Sequence, residues 1–99
     1  MSVIIDLAIF PMDKGASDLG SYVARALDII RQSGLSYALG PMGTSIEGEW
    51  EDVMAVVDAC YRDLEKDSDR IYLNIKADSR KGRLHGLAQK VQSVTDKQK

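Results

Sequence analysis

Several chemistries are removed by what this chain has little of. One cysteine, Cys60, rules out an internal disulfide framework. Cys60 falls on the apolar side of an expected helix, so it reads as a buried thiol rather than a nucleophile. The lone histidine, His85, lies off the apolar stripe of the last expected helix and reads as exposed. One cysteine and one histidine cannot supply a typical zinc site. No glycine-rich phosphate loop or Ser/His/Asp set is present, so neither a cofactor nor a catalytic residue is expected. No apolar run approaches the ~20 residues of a membrane span. The segment Met1–Phe10 has no basic leader and is interrupted by Asp6, so a cytoplasmic location without a membrane partner is expected. Thirteen basic against fifteen acidic residues leave a net charge of −2. That balance does not provide the clustered cations that neutralise phosphates, so no nucleic-acid partner is expected. Arg80, Lys81 and Arg83 read as a solvated loop.

What remains is a 99-residue chain, 44% hydrophobic and 28% charged, in keeping with one soluble domain spanning residues 1–99. A domain this small buries only about 60–70% of its unfolded surface, so a partner subunit would help it. Residues 3–10 alternate as a strand, with Val3, Ile5, Leu7 and Ile9 on one side and Ile4, Asp6, Ala8 and Phe10 on the other. Pro11 and Gly15 should break it. A helix is expected over 18–33, with Ser17 as N-cap and Gly34 as a left-handed stop. Leu19, Val23, Ala26, Leu27 and Ile30 form its apolar stripe.

The segment Tyr37–Trp50 reads as strand, tight turn, strand and helix start. Strands over 36–39 and 44–48 flank Gly40-Pro-Met-Gly43, where proline presets φ and the glycines relieve strain. Pairing Gly40 with Gly43 sets Leu39 opposite Thr44, Tyr37 opposite Ile46 and Ser36 opposite Glu47. A second helix is expected over 50–66, its first turn acidic through Glu49, Glu51 and Asp52, which suits the helix dipole. Val53, Val56, Val57, Cys60 and Leu64 form its core stripe, and Trp50 should close the core edge. A fourth strand over 70–77 and a last helix over 83–94, with Leu84, Leu87, Ala88, Val91 and Val94 on one stripe, complete the order. The order β-α-β-β-α-β plus a terminal helix predicts an α+β, ferredoxin-like split sandwich. Its four-stranded antiparallel sheet should run 4-1-3-2.

Two helices cover one side of such a sheet. The other side would carry Asp6, Ala8, Phe10, Glu47, Tyr72, Asn74 and Lys76, and Ile4 with Phe10 should not stay wet. Two sheets stacked ~10 Å apart would hide them, which predicts a homodimer through sheet faces, or a homotetramer built from such dimers. A carboxylate inside a half-buried strand is costly unless paired, so Glu47 reads either as a ligand contact or as a structural hydrogen-bond acceptor. Asp6 reads as an ion-pair partner of Lys76 or, with Glu47, as a carboxylate pair. Thr44 and Tyr37 read as sheet packing or as contacts.

The runs Ser21-Tyr-Val-Ala24, Ser33-Gly-Leu-Ser-Tyr37, Pro41-Met-Gly-Thr-Ser-Ile-Glu-Gly48, Asp69-Arg-Ile-Tyr72 and Ile75-Lys-Ala-Asp-Ser-Arg80 resemble the small thiamine-binding protein family, the YkoF-like ferredoxin-like proteins. The resemblance spans Val3 to Val94, and its Met-Gly-Thr-x-x-Glu-Gly block is the most specific part. It implies a ferredoxin-like subunit stacked in dimers and often tetramers. It also implies non-catalytic binding of thiamine or its hydroxymethylpyrimidine moiety. The chain departs from the family pattern at Tyr61, where a histidine is frequent, and at Ser79, where an acid is frequent. Under the resemblance Glu47 would be the charge partner of the thiazolium, Thr44 a hydrogen-bonding group and Tyr37 a wall, with Asp6 and Asn74 as further contacts. A regulatory amino-acid-binding module and a structural assembly unit are the alternatives. An acylphosphatase would need an arginine-bearing phosphate loop that residues 11–17 lack, and an RNA-recognition domain would need middle-strand aromatics that 44–48 lack.

Overall fold

A computed structural model describes residues 2–15, 18–82 and 86–98. The elements are β1 (Ser2–Pro11), α1 (Leu19–Gln32), β2 (Ser36–Leu39), β3 (Thr44–Glu49), α2 (Trp50–Glu65), β4 (Ile71–Arg80) and α3 (Gly86–Lys97). The sheet is antiparallel throughout in the order β2-β3-β1-β4, the ferredoxin-like order expected. The hairpin register is also as expected, with Leu39 opposite Thr44, Tyr37 opposite Ile46 and Ser36 opposite Glu47.

Period-2 alternation decides which side each strand residue serves. Val3, Ile5, Leu7 and Ile9 of β1 and Ile46 of β3 meet Ile30 of α1 and Val53, Val56, Val57, Cys60 and Leu64 of α2 in one core. Burial pushes the Cys60 thiol up to about 11, and its Sγ–H faces the Ala26 carbonyl, so it is an inert part of that core. Gly34 ends α1 with φ 78°, the conformation a β-carbon would strain. Glu51 and Asp52 stand in the first turn of α2.

Several boundaries differ from expectation for a tertiary reason. β1 continues into Pro11, which pairs with Ile71, because the edge it would leave unsatisfied has no strand beside it there. β4 runs to Arg80 rather than 77, since Ile4, Val3 and Ser2 supply partners for Asp78, Ser79 and Arg80. Arg80 is therefore strand, not loop. Trp50, expected to close the core edge, is half exposed. The expected N-cap Ser17, and the stretch Arg83, Leu84 and His85, lie outside the described residues.

Three side-chain clasps hold the layers in place. Arg25 of α1 donates to the Asp63 carboxylate and carbonyl at 3.1 Å each, pairs with Asp67, and lies 5.3 Å from the Tyr22 ring centre. This pins α1 to the C-terminal end of α2. Beyond β1, Asp13 accepts from the Ser68 hydroxyl and from the Asp69 N–H at 2.8 Å. Those two bonds hold its carboxyl below the usual value. The third clasp is Glu47, buried on the sheet side away from the core. Its carboxylate accepts from the Gly86 N–H at 2.6 Å and the Leu87 N–H at 3.3 Å, so it caps the start of α3 and holds that helix against β2 and β3.

Candidate functional site

The strands of this sheet are unequal, and the inequality makes a cavity. β1 and β4 pair over ten positions, from Ser2↔Arg80 to Pro11↔Ile71. The β1–β3 ladder stops at Leu7↔Thr44. On the β3 side, residues 8–11 of β1 therefore have no strand neighbour. Opposite them stands the β2–β3 turn, closed by the Gly40 N–H donating to the Gly43 carbonyl at 2.8 Å. The gap between strand edge and turn is roofed by α1, whose stripe Leu19, Val23, Ala26 and Ile30 looks down into it. The result is a cavity of about 360 Å³, floored by Leu7 to Phe10 and walled by Leu39 and Gly40–Thr44. The α1 stripe is legible in the sequence, but Val23 is exposed because the space beneath it is empty of protein.

Among the described residues the walls are apolar with one side-chain exception. Thr44 is 7% exposed, and its hydroxyl has no hydrogen-bond partner among the described residues. A buried hydroxyl without a partner is unusual, because it gives up water and gains nothing in return. Phe10 ends the β1 floor, while its ring falls on the other side of the sheet by alternation, stacked on Tyr72 with ring centres 5.0 Å apart and 21° between planes.

The five residues singled out from the sequence do not form one cluster. Thr44 lines the cavity. Tyr37 shares the helix side of the sheet with Thr44 but is exposed on the edge strand β2, outside the lining. Asp6, Glu47 and Asn74 belong to the opposite side of the sheet by strand alternation. Glu47 is committed to α3 and does not line the cavity. Asn74 is exposed on the edge strand β4. Asp6 faces Lys76 in register, yet no ion pair joins them among the described residues. Instead the Asp6 carboxylate lies against Gly43, its oxygens 2.9 and 3.0 Å from where a β-carbon there would sit. Any side chain at position 43 would collide with it, which accounts for the glycine. Asp6 is thus an acid set directly beside a residue of the cavity wall. Sequence reasoning missed Leu19, Val23, Phe10 and Met42 as site residues. The available signal was the short β2–β3 hairpin set against a long first strand.

Comparison with known proteins places this geometry. The model of a family described as thiamine-binding protein matches residues 5–95. A UPF0045 protein of Synechocystis is 35% identical over 95 residues, covering 95% of this chain and 78% of that protein. A UPF0045 protein of Methanothermobacter thermautotrophicus is 33% identical, covering 96% of this chain and 98% of that one. Among solved structures, a Thermotoga maritima protein provisionally assigned to thiamine biosynthesis or salvage superposes with a TM-score of 0.84 at 28% identity, covering 95% of this chain and 99% of that one. A hypothetical protein of Methanocaldococcus jannaschii superposes with a TM-score of 0.86 at 26% identity, covering 95% and 96%. No helix among the described residues is long and apolar enough to cross a membrane.

Proposed function

The chain belongs to the thiamine-binding protein family, and from that premise we propose that it binds thiamine, or the hydroxymethylpyrimidine half of thiamine, without catalysing a reaction. The observation that carries the reading is the buried Thr44 hydroxyl, without a partner among the described residues, in the wall of an otherwise apolar cavity. The cavity volume of about 360 Å³ falls in the ~300–1,000 Å³ range of small-molecule sites. A flat heteroaromatic ring suits walls of Val23, Ile30 and Leu39, and its nitrogens give Thr44 a partner. The thiazolium carries a fixed positive charge, and Asp6 is the carboxylate set beside the cavity wall at Gly43. In this reading Thr44 meets the pyrimidine, Asp6 acts on the cation through its charge from behind the Gly43 wall, and Glu47 serves the fold. Titration calorimetry with thiamine and with the free pyrimidine tests it: saturable heat is expected, and no heat from folded protein at millimolar ligand rejects the ligand assignment.

The working form is proposed to be a homodimer joined through the sheet side that α1 and α2 leave uncovered, with tetramers as its further assembly. Tyr72 is exposed on that side. Val91 and Val94 of α3 are 69% and 58% exposed, an apolar stripe that nothing in the single chain covers among the described residues. Sedimentation equilibrium at micromolar concentration should return a multiple of the 10.9 kDa chain mass; a monomer there rejects this assembly.

A further inference from the structure

The open stretch of β1 leaves main-chain groups as well as side chains facing the cavity, and their identity follows from strand geometry. In an antiparallel ladder the N–H and C=O of one residue point to the same neighbour, and successive residues alternate sides. Two contacts fix the phase. The Met12 N–H donates to the Arg70 carbonyl at 2.7 Å, so Met12 points to the β4 side, and Ala8 and Phe10 point with it. The Leu7 carbonyl oxygen lies 3.1 Å from the β-carbon position of Gly43, so Leu7 points to the β3 side. Ile9 points with Leu7, toward the place where β3 has already ended.

Ile9 is 8% exposed and lines the cavity. Its N–H and C=O point past the end of the β1–β3 ladder, and no turn or loop bond reaches them among the described residues. Buried main-chain groups are paired in more than about 90% of cases, so an adjacent donor and acceptor left open in an apolar cavity call for a ligand that completes them. Pro11, next on the same side, has no N–H to lose, and Thr44 stands opposite as the only side-chain hydroxyl of the lining among the described residues. The edge is thus one donor, one acceptor and one hydroxyl within apolar walls.

We propose that the Ile9 main chain is the specificity element of this cavity, reading a heteroaromatic ring that carries an exocyclic amine next to a ring nitrogen. The Ile9 N–H donates to the ring nitrogen and the Ile9 C=O accepts from the amine. The ring thereby docks on β1 as the next strand residue would have done. This rests on the cavity being the ligand site, and it deepens that reading by assigning selectivity to a backbone edge. The same aminopyrimidine chemistry reaches the site either as a free pyrimidine or as half of thiamine.

Amide hydrogen exchange of the full chain, followed residue by residue by NMR, tests the proposal. In the free protein the Ile9 amide should exchange faster than those of Leu7 and Ala8, which have ladder partners. Saturating 4-amino-5-hydroxymethyl-2-methylpyrimidine or thiamine should slow it at least tenfold, and the two ligands compared side by side identify which source the site accepts. The analogue lacking the 4-amine should bind about tenfold or more weakly, the loss of one hydrogen bond. A semisynthetic chain with an ester in place of the Ile9 N–H should show a similar loss for the aminated ligand and none for an analogue lacking the ring nitrogen. Thiamine bound without slowing at Ile9, or an analogue without the amine bound equally well, overturns the backbone reading while leaving thiamine binding intact. Slowing by adenine, which has the same donor–acceptor edge, with none by thiamine or the pyrimidine, upholds the backbone reading and rejects the thiamine assignment. No binding and no slowing with all three overturns both.

Discussion

Replacing Thr44 with valine should pull stability and binding in opposite directions. Valine keeps the branched shape and removes the hydroxyl. In the folded chain Thr44 is 7% exposed and its hydroxyl has no partner among the described residues, so folding strips its water without replacement. Such a group costs about 1–3 kcal/mol by mutational measurement. Removing it should therefore stabilise the free protein, by about 1 kcal/mol if the cavity admits some water. For a domain of this length, that corresponds to a Tm increase of roughly 4–8 °C. In the complex the hydroxyl meets the ligand, so the same substitution should weaken binding by about 0.5–1.5 kcal/mol, up to roughly tenfold in Kd. Thermal unfolding with and without ligand, together with calorimetry, reads both quantities on one pair of proteins. A free protein made less stable by Thr44→Val, with unchanged affinity, would refute the reasoning, because it would mean that the hydroxyl is already satisfied and is no part of the site.

Three further substitutions separate the roles assigned above. Glu47→Gln should lower stability by about 1–3 kcal/mol, since an amide replaces the buried carboxylate that receives the Gly86 and Leu87 N–H groups, and should leave ligand affinity within twofold; denaturant unfolding and calorimetry check the two halves. Asp6→Asn should weaken thiamine, which is cationic, several-fold more than the neutral hydroxymethylpyrimidine; an equal effect on both would remove the charge role at that position. Asp13 has its carboxyl lowered from the ordinary value of 3.8 by the Ser68 hydroxyl and the Asp69 N–H. Its contribution is therefore complete above pH 3.8 and disappears as the pH falls through the lower folded value. Asp13→Asn should accordingly reduce Tm at pH 6 and converge with the parent protein in strong acid, which a pH series of melting curves measures.

Much of the fold was legible because it is written in local signals. Gly40-Pro-Met-Gly43 fixes a short hairpin, and apolar alternation on both flanks allows only one register that keeps Ile46 inside. The stripes of α1 and α2 repeat at helical spacing and end at Gly34 and at the polar run after Leu64, so their lengths follow from sequence. β4 was read short because Asp78-Ser-Arg80 looks like loop by composition, and only the partners offered by β1 make it strand. The function of Glu47 was open for the same reason. Its apolar neighbours signal burial, but the N–H groups it serves lie 39 and 40 residues away in sequence.

The candidate site was harder to foresee, because it arises from where a ladder stops rather than from a motif. Alternation alone separates Thr44 and Tyr37 from Asp6, Glu47 and Asn74, since the two sets differ in phase along paired strands. What alternation cannot supply is the difference in length between the two ladders of β1. β4 accompanies β1 to Pro11, whereas β3 leaves it at Leu7. A turn two residues earlier in sequence would have let β3 begin at Met42, opposite Ile9, filled the gap with a strand and satisfied Ile9. Gly43, crowded by Asp6 and by the Leu7 carbonyl, marks the point where the hairpin turns away instead. The same crowding gives a sharp expectation for Gly43→Ala. Its β-carbon would fall within 3.1 Å of three oxygen atoms, one of them main chain, so either the Asp6 carboxylate or the turn must move. Movement of Asp6 alone should weaken thiamine and leave the neutral pyrimidine bound, as Asp6→Asn does. Movement of the turn should reshape the wall and weaken both. Parallel titrations of the two ligands distinguish these outcomes, and unchanged affinity for both would dissociate the Gly43 wall, and Asp6 with it, from ligand binding.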